Sequence, residues 1–322
     1  MWSAGLVVER FKMSVVFYIK NKKKVFGYVH PMTVGELLDL VPGMEQFDHD
    51  EAQDGFDRET LYKSPLSVQE CFHVGEYGKS GRGVEVAYNE ENKEYSVRVM
   101  TPSIRADWEL AFRIMKALSK KMGNPVVHEG GTVLTAENID KFDFMYDINY
   151  GIESVLDFTR RDDPSGDQII FGIIRPVCFN RKLADEVLNS EKRMARFEEL
   201  LLSTQWLEAY PARQTFFKDK NTGDIFGHYT LNQELETILP FKPYIEFENI
   251  ADIDPEDIES WRLTLVSYED ENNYDTYFAL GDVPYEQFME DLPKDKYHFI
   301  DSTYIVVDRL TRDEMKEIAG IL

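Results

Sequence analysis

Cysteine is scarce in this chain: 322 residues carry two, Cys71 and Cys178, and neither sits in a CxxC pair. Two thiols cannot build a disulfide framework, and their spacing suits neither a structural zinc site nor a redox pair, so a reducing cytoplasm is expected. Long apolar runs are missing as well. The longest stretch free of Asp, Glu, Lys and Arg is residues 25–35, eleven residues, far short of the roughly 20 that a spanning helix needs. No membrane association is therefore expected. Catalytic signatures are absent in turn: there is no HExxH pair, no GxSxG elbow and no GxGxxG run, while His30, His128, His228 and His298 are dispersed. Without such a constellation the sequence implies no metal and no cofactor.

Positive charge is also in short supply. Lys and Arg total 36 against 59 Asp and Glu, a net charge of -23. The summed field repels phosphate backbones and anionic bilayers at long range, so no nucleic-acid partner is expected. An acidic surface fits solubility, a basic protein partner or imitation of DNA; only side chains spaced like duplex phosphates would support the last.

What is present is enough to fold. Hydrophobic residues make up 43% and aromatics 13%, well above a disordered chain, and the length favours two domains. Residues 1–12 have neither a basic start nor a cleavage site of a signal peptide, and Met13 opens a strand-like run, so 1–12 reads as an upstream extension. Residues 15–20 and 25–29 read as strands joined by the polar turn 21–24. Thr33 and Glu36 have capping-box spacing, with Met32 and Leu37 placed to staple the first turn of a helix. The same start signal recurs at Thr135, at Asp254-Pro255 and at Thr311 with Glu314. Residues 83–88 and 95–100, joined by 89–94, form a second hairpin. Ser103 then caps a helix whose Ile104, Trp108, Ala111, Phe112, Met115, Leu118 and Met122 make one apolar stripe, closed by Gly123.

The polar stretch 159–167, with Pro164 and Gly166, marks the expected boundary between an N-terminal domain, 13–160, and a C-terminal domain, 161–322. Beyond it come a strand at 168–174, a helical region at 182–207 that breaks near Asn189-Ser190, and hairpins at 215–231 and 262–280. Meandering strands with appended helices give an α+β fold of antiparallel sheets with packed helices, in two domains. Residues 83–142 echo 261–318 in their order of elements.

The one stretch with a chemical idea in it is 75–83, where four glycines surround Lys79, Ser80 and Arg82. Gly78, Lys79, Ser80, Gly81, Arg82 and Gly83 form the candidate ligand-binding set, because closely approaching N–H groups beside two cations can cradle a phosphate. It is no P-loop: the upstream glycine position holds His73, and a strand follows where a helix N-terminus should. A bulged connection into the next strand explains the same glycines. The acidic run 48–55 fails as a calcium loop. With Gly55 at the sharp turn, Ala52 and Leu61 fall where oxygen ligands are required. Cys71 and His73 would share one strand face, without an orienting group or oxyanion donors beside them.

The opening Met13-Ser14-Val15-Val16-Phe17-Tyr18, the Ser80-Gly81-Arg82-Gly83 turn, the Asn89-Glu90-Glu91-Asn92-Lys93 hairpin and the segment Arg105-Ala106-Asp107-Trp108-Glu109-Leu110 resemble an uncharacterised family of cytosolic proteins from Gram-positive bacteria. The resemblance covers most of the chain from Met13 onward and implies no catalytic residue. The residues thus point to a non-catalytic cytosolic binding or regulatory protein that contacts another protein. The alternative is an enzyme or sensor for a phosphate-bearing small molecule, working through 75–83.

Overall fold

The computed structural model describes residues 13–48, 57–160, 167–246, 249 and 253–321. The extension 1–12, the failed calcium loop beyond Asp48 and the centre of the expected boundary, including Pro164, lie outside them. The chain forms two compact units, 1–206 and 207–322.

Period-two alternation of β-branched and aromatic residues builds the sheet of the first unit. In β1 (Ser14–Lys20), Val15, Phe17 and Ile19 are buried while Val16 and Tyr18 face outward. β2 (Met44–Gln46), β3 (Phe72–Glu76), β4 (Val84–Asn89), β5 (Glu94–Met100), β6 (Val126–His128) and β7 (Val133–Leu134) complete seven strands in the order β2-β3-β4-β5-β1-β6-β7. Every pairing is antiparallel. The hairpin expected at 83–100 is β4-β5. The one expected at 15–29 is not a sheet hairpin: β1 is flanked on both sides by β5 and β6, so residues 25–29 find no free edge. They instead fold onto 22–24 through an isolated bridge between Lys23 and Tyr28.

The helix Arg105–Met122 lays its stripe on this sheet, with Gly123 in the left-handed region at φ 69°. Trp108 is fully buried, edge-on to Phe17 at 6.3 Å and stacked on Phe142 at 5.5 Å. Truncating such a side chain costs about 3–5 kcal/mol. Thr33 and Glu36 form the expected capping box on Val34–Leu38, and so do Thr311 and Glu314 on Arg312–Ile318. Thr135 starts no helix. Its N–H is held by Asn138, a short 3-10 turn follows at Ile139–Lys141, and the helix Phe144–Leu156 begins later on an Asp143 cap.

Residues 168–206 form β8 (Gln168–Phe171), β9 (Pro176–Phe179) and the helices Arg181–Leu188 and Arg193–Gln205, broken where the sequence indicates. Ile170, Val177, Phe179, Phe197 and Leu201 share one apolar cluster with Val15, Trp108 and Ile152. Apolar continuity thus carries the first unit through to Trp206, past the polar stretch at 159–167.

The second unit holds β10 (Tyr210–Pro211), β11 (Thr215–Lys218), β12 (Ile225–Asn232), β13 (Thr237–Pro240), β14 (Ile258–Tyr268), β15 (Tyr277–Pro284), β16 (Tyr297–Phe299) and β17 (Tyr304–Val307). They make two four-stranded sheets, β11-β12-β14-β15 and β10-β13-β17-β16. The predicted hairpins are β11-β12 and β14-β15, both antiparallel, but β12 and β14 pair in parallel, as do β10 and β13. Tyr229, Leu231, Leu263, Leu265, Tyr285, Phe288, Ile305 and Met315 form the core. The strands answering β6 and β7 in the echo, β16 and β17, lie in a different sheet from their preceding hairpin. Helices beside mainly antiparallel sheets make this an α+β fold.

Candidate functional site

The glycine-rich loop does gather N–H groups around an anion, and the anion is the protein's own. Asp107 lies on the apolar stripe of the helix Arg105–Met122 and is fully buried. Its carboxylate accepts the backbone N–H groups of Gly81 at 3.2 Å, Arg82 at 2.9 Å and Gly83 at 3.0 Å, and the Ser103 hydroxyl at 2.8 Å. Ser103 is therefore a ligand of Asp107 rather than the helix cap, which falls on Ile104. Burial pushes the Asp107 carboxyl above its ordinary range, opposed by the hydrogen bonds from Arg82, Ser103, Gly83 and Ser80.

The remaining loop donors are similarly engaged. Arg82 donates from Nε to the Phe171 carbonyl and from Nη1 to the Pro102 carbonyl, both at 2.8 Å. Burial lowers its pKa to about 10, against the pull of Asp107, so the guanidinium stays charged at neutral pH. The carbonyl of Arg82 accepts from His73 Nε2, which fixes the tautomer of that ring. Ser80 is buried, with its hydroxyl accepting the Glu76 N–H and its carbonyl accepting Trp206 Nε1 at 2.8 Å. Gly81 passes so close to Leu201 that an added Cβ would stand 2.6 Å from Cδ2, and Gly83 turns at φ +68°. Gly78 and Lys79 are the exposed members of the set. Lys79 pairs with Glu76, which also holds Arg113. Burial would raise the Glu76 carboxyl, but Arg113 and Lys79 outweigh it and hold it low.

So the structure brings Ser80, Gly81, Arg82 and Gly83 together, with each donor named above meeting a protein acceptor. Cys71 is exposed as a residue, yet partial desolvation of its thiol, followed by Glu85 and Asp48, pushes the thiol up, which disfavours the thiolate a nucleophile requires. Among the described residues no group of three His, Cys, Asp or Glu side chains could hold a metal ion. None of their helices is long and apolar enough to cross a membrane.

A family model described as a domain of unknown function (DUF4299) matches residues 14–318. The chain belongs to that family. This agrees with the uncharacterised family that the motifs around Met13, Arg82 and Asp107 resemble. No curated protein and no solved structure matches the chain.

A second constellation, invisible as a motif, lies on the outward face of the β11-β12-β14-β15 sheet. The alternation that buries Tyr229 and Leu231 in β12 turns Phe226 and His228 to the other side. Phe217 stacks on Phe226 at 5.6 Å, and the Arg262 guanidinium lies 4.6 Å from the Phe226 ring centroid. A polar row crosses the strands beside them. The Thr215 hydroxyl lies 3.1 Å from His228 Nδ1, His228 Nε2 reaches Thr264, and the Thr264 hydroxyl donates to Asp282. Burial lowers the pKa of His228 while Asp282 opposes the fall, keeping the ring largely neutral at pH 7. The row has a consistent donor order, but it ties neighbouring strands together and meets no oxyanion donor in the hydrogen bonds of the sheet, so its chemistry is that of register and surface shape. The signal that could have found this face is the outward register of Phe217, Phe226 and Arg262, three large side chains on the solvent side of strands.

Proposed function

We propose that this is a non-catalytic cytosolic binding or regulatory protein of bacterial origin, and that the outward face of the β11-β12-β14-β15 sheet contacts a basic protein. The observation that carries the reading is the Phe217, Phe226 and Arg262 cluster. Aromatic residues, phenylalanine among them, and arginine are enriched in protein interfaces relative to the rest of the surface, and here Phe217 is half-exposed. Charge supplies the sign of the partner. Residues 207–322 contain 26 Asp and Glu against 10 Lys and Arg, so a basic surface is steered toward this unit and an acidic one is repelled. Cys71 is exposed and Cys178 is buried, and so low a cysteine content suits a reducing compartment.

The test is affinity capture with paired baits. The wild-type chain should retain a basic protein that the Phe217→Ser/Arg262→Ser variant loses, with both baits melting at the same temperature. Failure to capture any partner above background, or equal capture by the variant, would contradict the reading.

A further inference from the structure

In the first unit, residues 22–29 fold back on themselves as a small, firmly seated finger. Its base is Asn21, which is fully buried and uses its whole side chain. The amide donates to the Val29 carbonyl at 2.7 Å and to Tyr88 Oη at 3.0 Å, while Oδ1 accepts the Lys22 N–H at 2.7 Å. The backbone adds Val29 N–H to the Lys22 carbonyl at 2.9 Å and Lys24 N–H to the Gly27 carbonyl at 3.0 Å, with Gly27 at φ +78°. This scaffold ends in Val25 and Phe26, which are 92% and 91% exposed. A large apolar pair left in water by an ordered turn adds almost nothing to folding, and ordered apolar surface of this kind marks a contact site.

The sign of that contact is set by its neighbours. Lys20 is paired with Glu94, but Lys22, Lys23 and Lys24 have no carboxylate within ion-pair distance among the described residues, and Lys23 leans over the Tyr28 ring at 5.9 Å. Three uncompensated cations beside the tip reverse, locally, the charge of a chain with net -23. That global charge repels an anionic surface at long range, yet at physiological ionic strength the repulsion is screened over about 8 Å, so the groups nearest the surface decide. Size selects the kind of surface. A specific protein interface takes roughly 800 Å² from each partner, whereas one valine and one phenylalanine offer roughly 300–400 Å². A bilayer requires no such area and no shape complementarity. It takes apolar side chains into the acyl boundary and lysines against its phosphates.

The geometry points to residues 22–29 as a peripheral membrane finger, with Val25 and Phe26 entering an anionic phospholipid bilayer and Lys22, Lys23 and Lys24 on its headgroup phosphates. The contact is independent of the sheet face of the second unit. Co-sedimentation tests it, with vesicles of phosphatidylcholine alone and of an equal mixture of phosphatidylcholine and phosphatidylglycerol. Wild-type protein should pellet with the mixed vesicles, stay in solution with phosphatidylcholine alone, and be released as salt rises. Val25→Ser/Phe26→Ser should weaken binding about a hundredfold, and Lys22→Gln/Lys23→Gln/Lys24→Gln should abolish the preference for the anionic lipid. Both variants should melt with the wild type, because the altered side chains pack on little. Phe217→Ser/Arg262→Ser should pellet like the wild type, so this result stands or falls apart from the sheet face. Wild-type protein that ignores the mixed vesicles would overturn the proposal, as would binding that survives both sets of tip substitutions. Loss of a captured protein partner from the tip variants, with no vesicle binding by the wild type, would assign the finger to protein and overturn it equally.

Discussion

Two loops of the first unit, 75–83 and 22–29, share a net positive charge and have opposite fates. Each combines glycine and cations beside a strand of the same sheet. In the first, the N–H groups of Gly81, Arg82 and Gly83 and the Arg82 guanidinium are consumed by Asp107, Phe171 and Pro102. In the second, hydrogen bonds hold the base and close the turn from Lys24 to Gly27, and the tip points its apolar residues into solvent. The difference is a counter-charge. An internal carboxylate is placed where a ligand's phosphate would sit in one loop, and no acid stands within reach of Lys22, Lys23 and Lys24 among the described residues. A glycine-rich cationic loop is evidence of an anion site, and a protein can fill that site from within.

The comparison breaks most sharply at Asp107. Replacing it by alanine leaves the buried N–H groups of Gly81 and Gly83, the part-buried N–H of Arg82 and the Ser103 hydroxyl without their acceptor. At about 1–3 kcal/mol for each orphaned group, the first unit should lose most of its stability, visible in a denaturant titration as a large fall in midpoint. Arg82→Ala should cost about 2–4 kcal/mol, because two carbonyls lose a charged donor. Gly81→Ala should cost about 1–3 kcal/mol, since Leu201 must yield to the new Cβ. Val25→Ser/Phe26→Ser should change stability by no more than about 0.5 kcal/mol.

The smallest effect sharpens the comparison within the loop itself. Glu76 is held below the ordinary carboxylate range in the folded protein. A lowered folded pKa means stability that is present above about 4.5 and lost as pH falls below it. Glu76→Gln should flatten the acid limb of the stability profile over that window. Lys79→Ala should leave the limb nearly as it is, since Lys79 is exposed and Arg113 remains.

Much of the fold is legible in local sequence, because hairpins and caps are short-range. The β4-β5, β11-β12 and β14-β15 pairs follow from alternation and turn residues, and the boxes at Thr33 and Thr311 from three-residue spacing. Long-range competition is not legible in the same way. Residues 25–29 carry strand-forming side chains but meet a β1 already paired on both edges. The polar stretch at 159–167 resembles a linker, yet Ile170 and Phe179 beyond it join the first unit's core. The candidate site was half legible. The sequence marks Gly81, Arg82 and Gly83 as an anion cradle and gives no direct view of what lies 24 to 26 residues away along the chain. One clue was there: Asp107 stands three residues after Ile104 and four before Ala111, a lone acid on an apolar stripe. A carboxylate in that register has to meet buried donors.

The central claim is that the loop's anion is Asp107, and the melting temperature of wild type and Arg82→Ala, each with and without inorganic phosphate or ATP, tests it most directly. Internal satisfaction predicts a fall of about 5–10 °C on substitution and no ligand-dependent rise in the wild type beyond that of an equal ionic strength of chloride. A variant that melts with the wild type, alongside a wild type stabilised by phosphate or ATP through mass action, would contradict it.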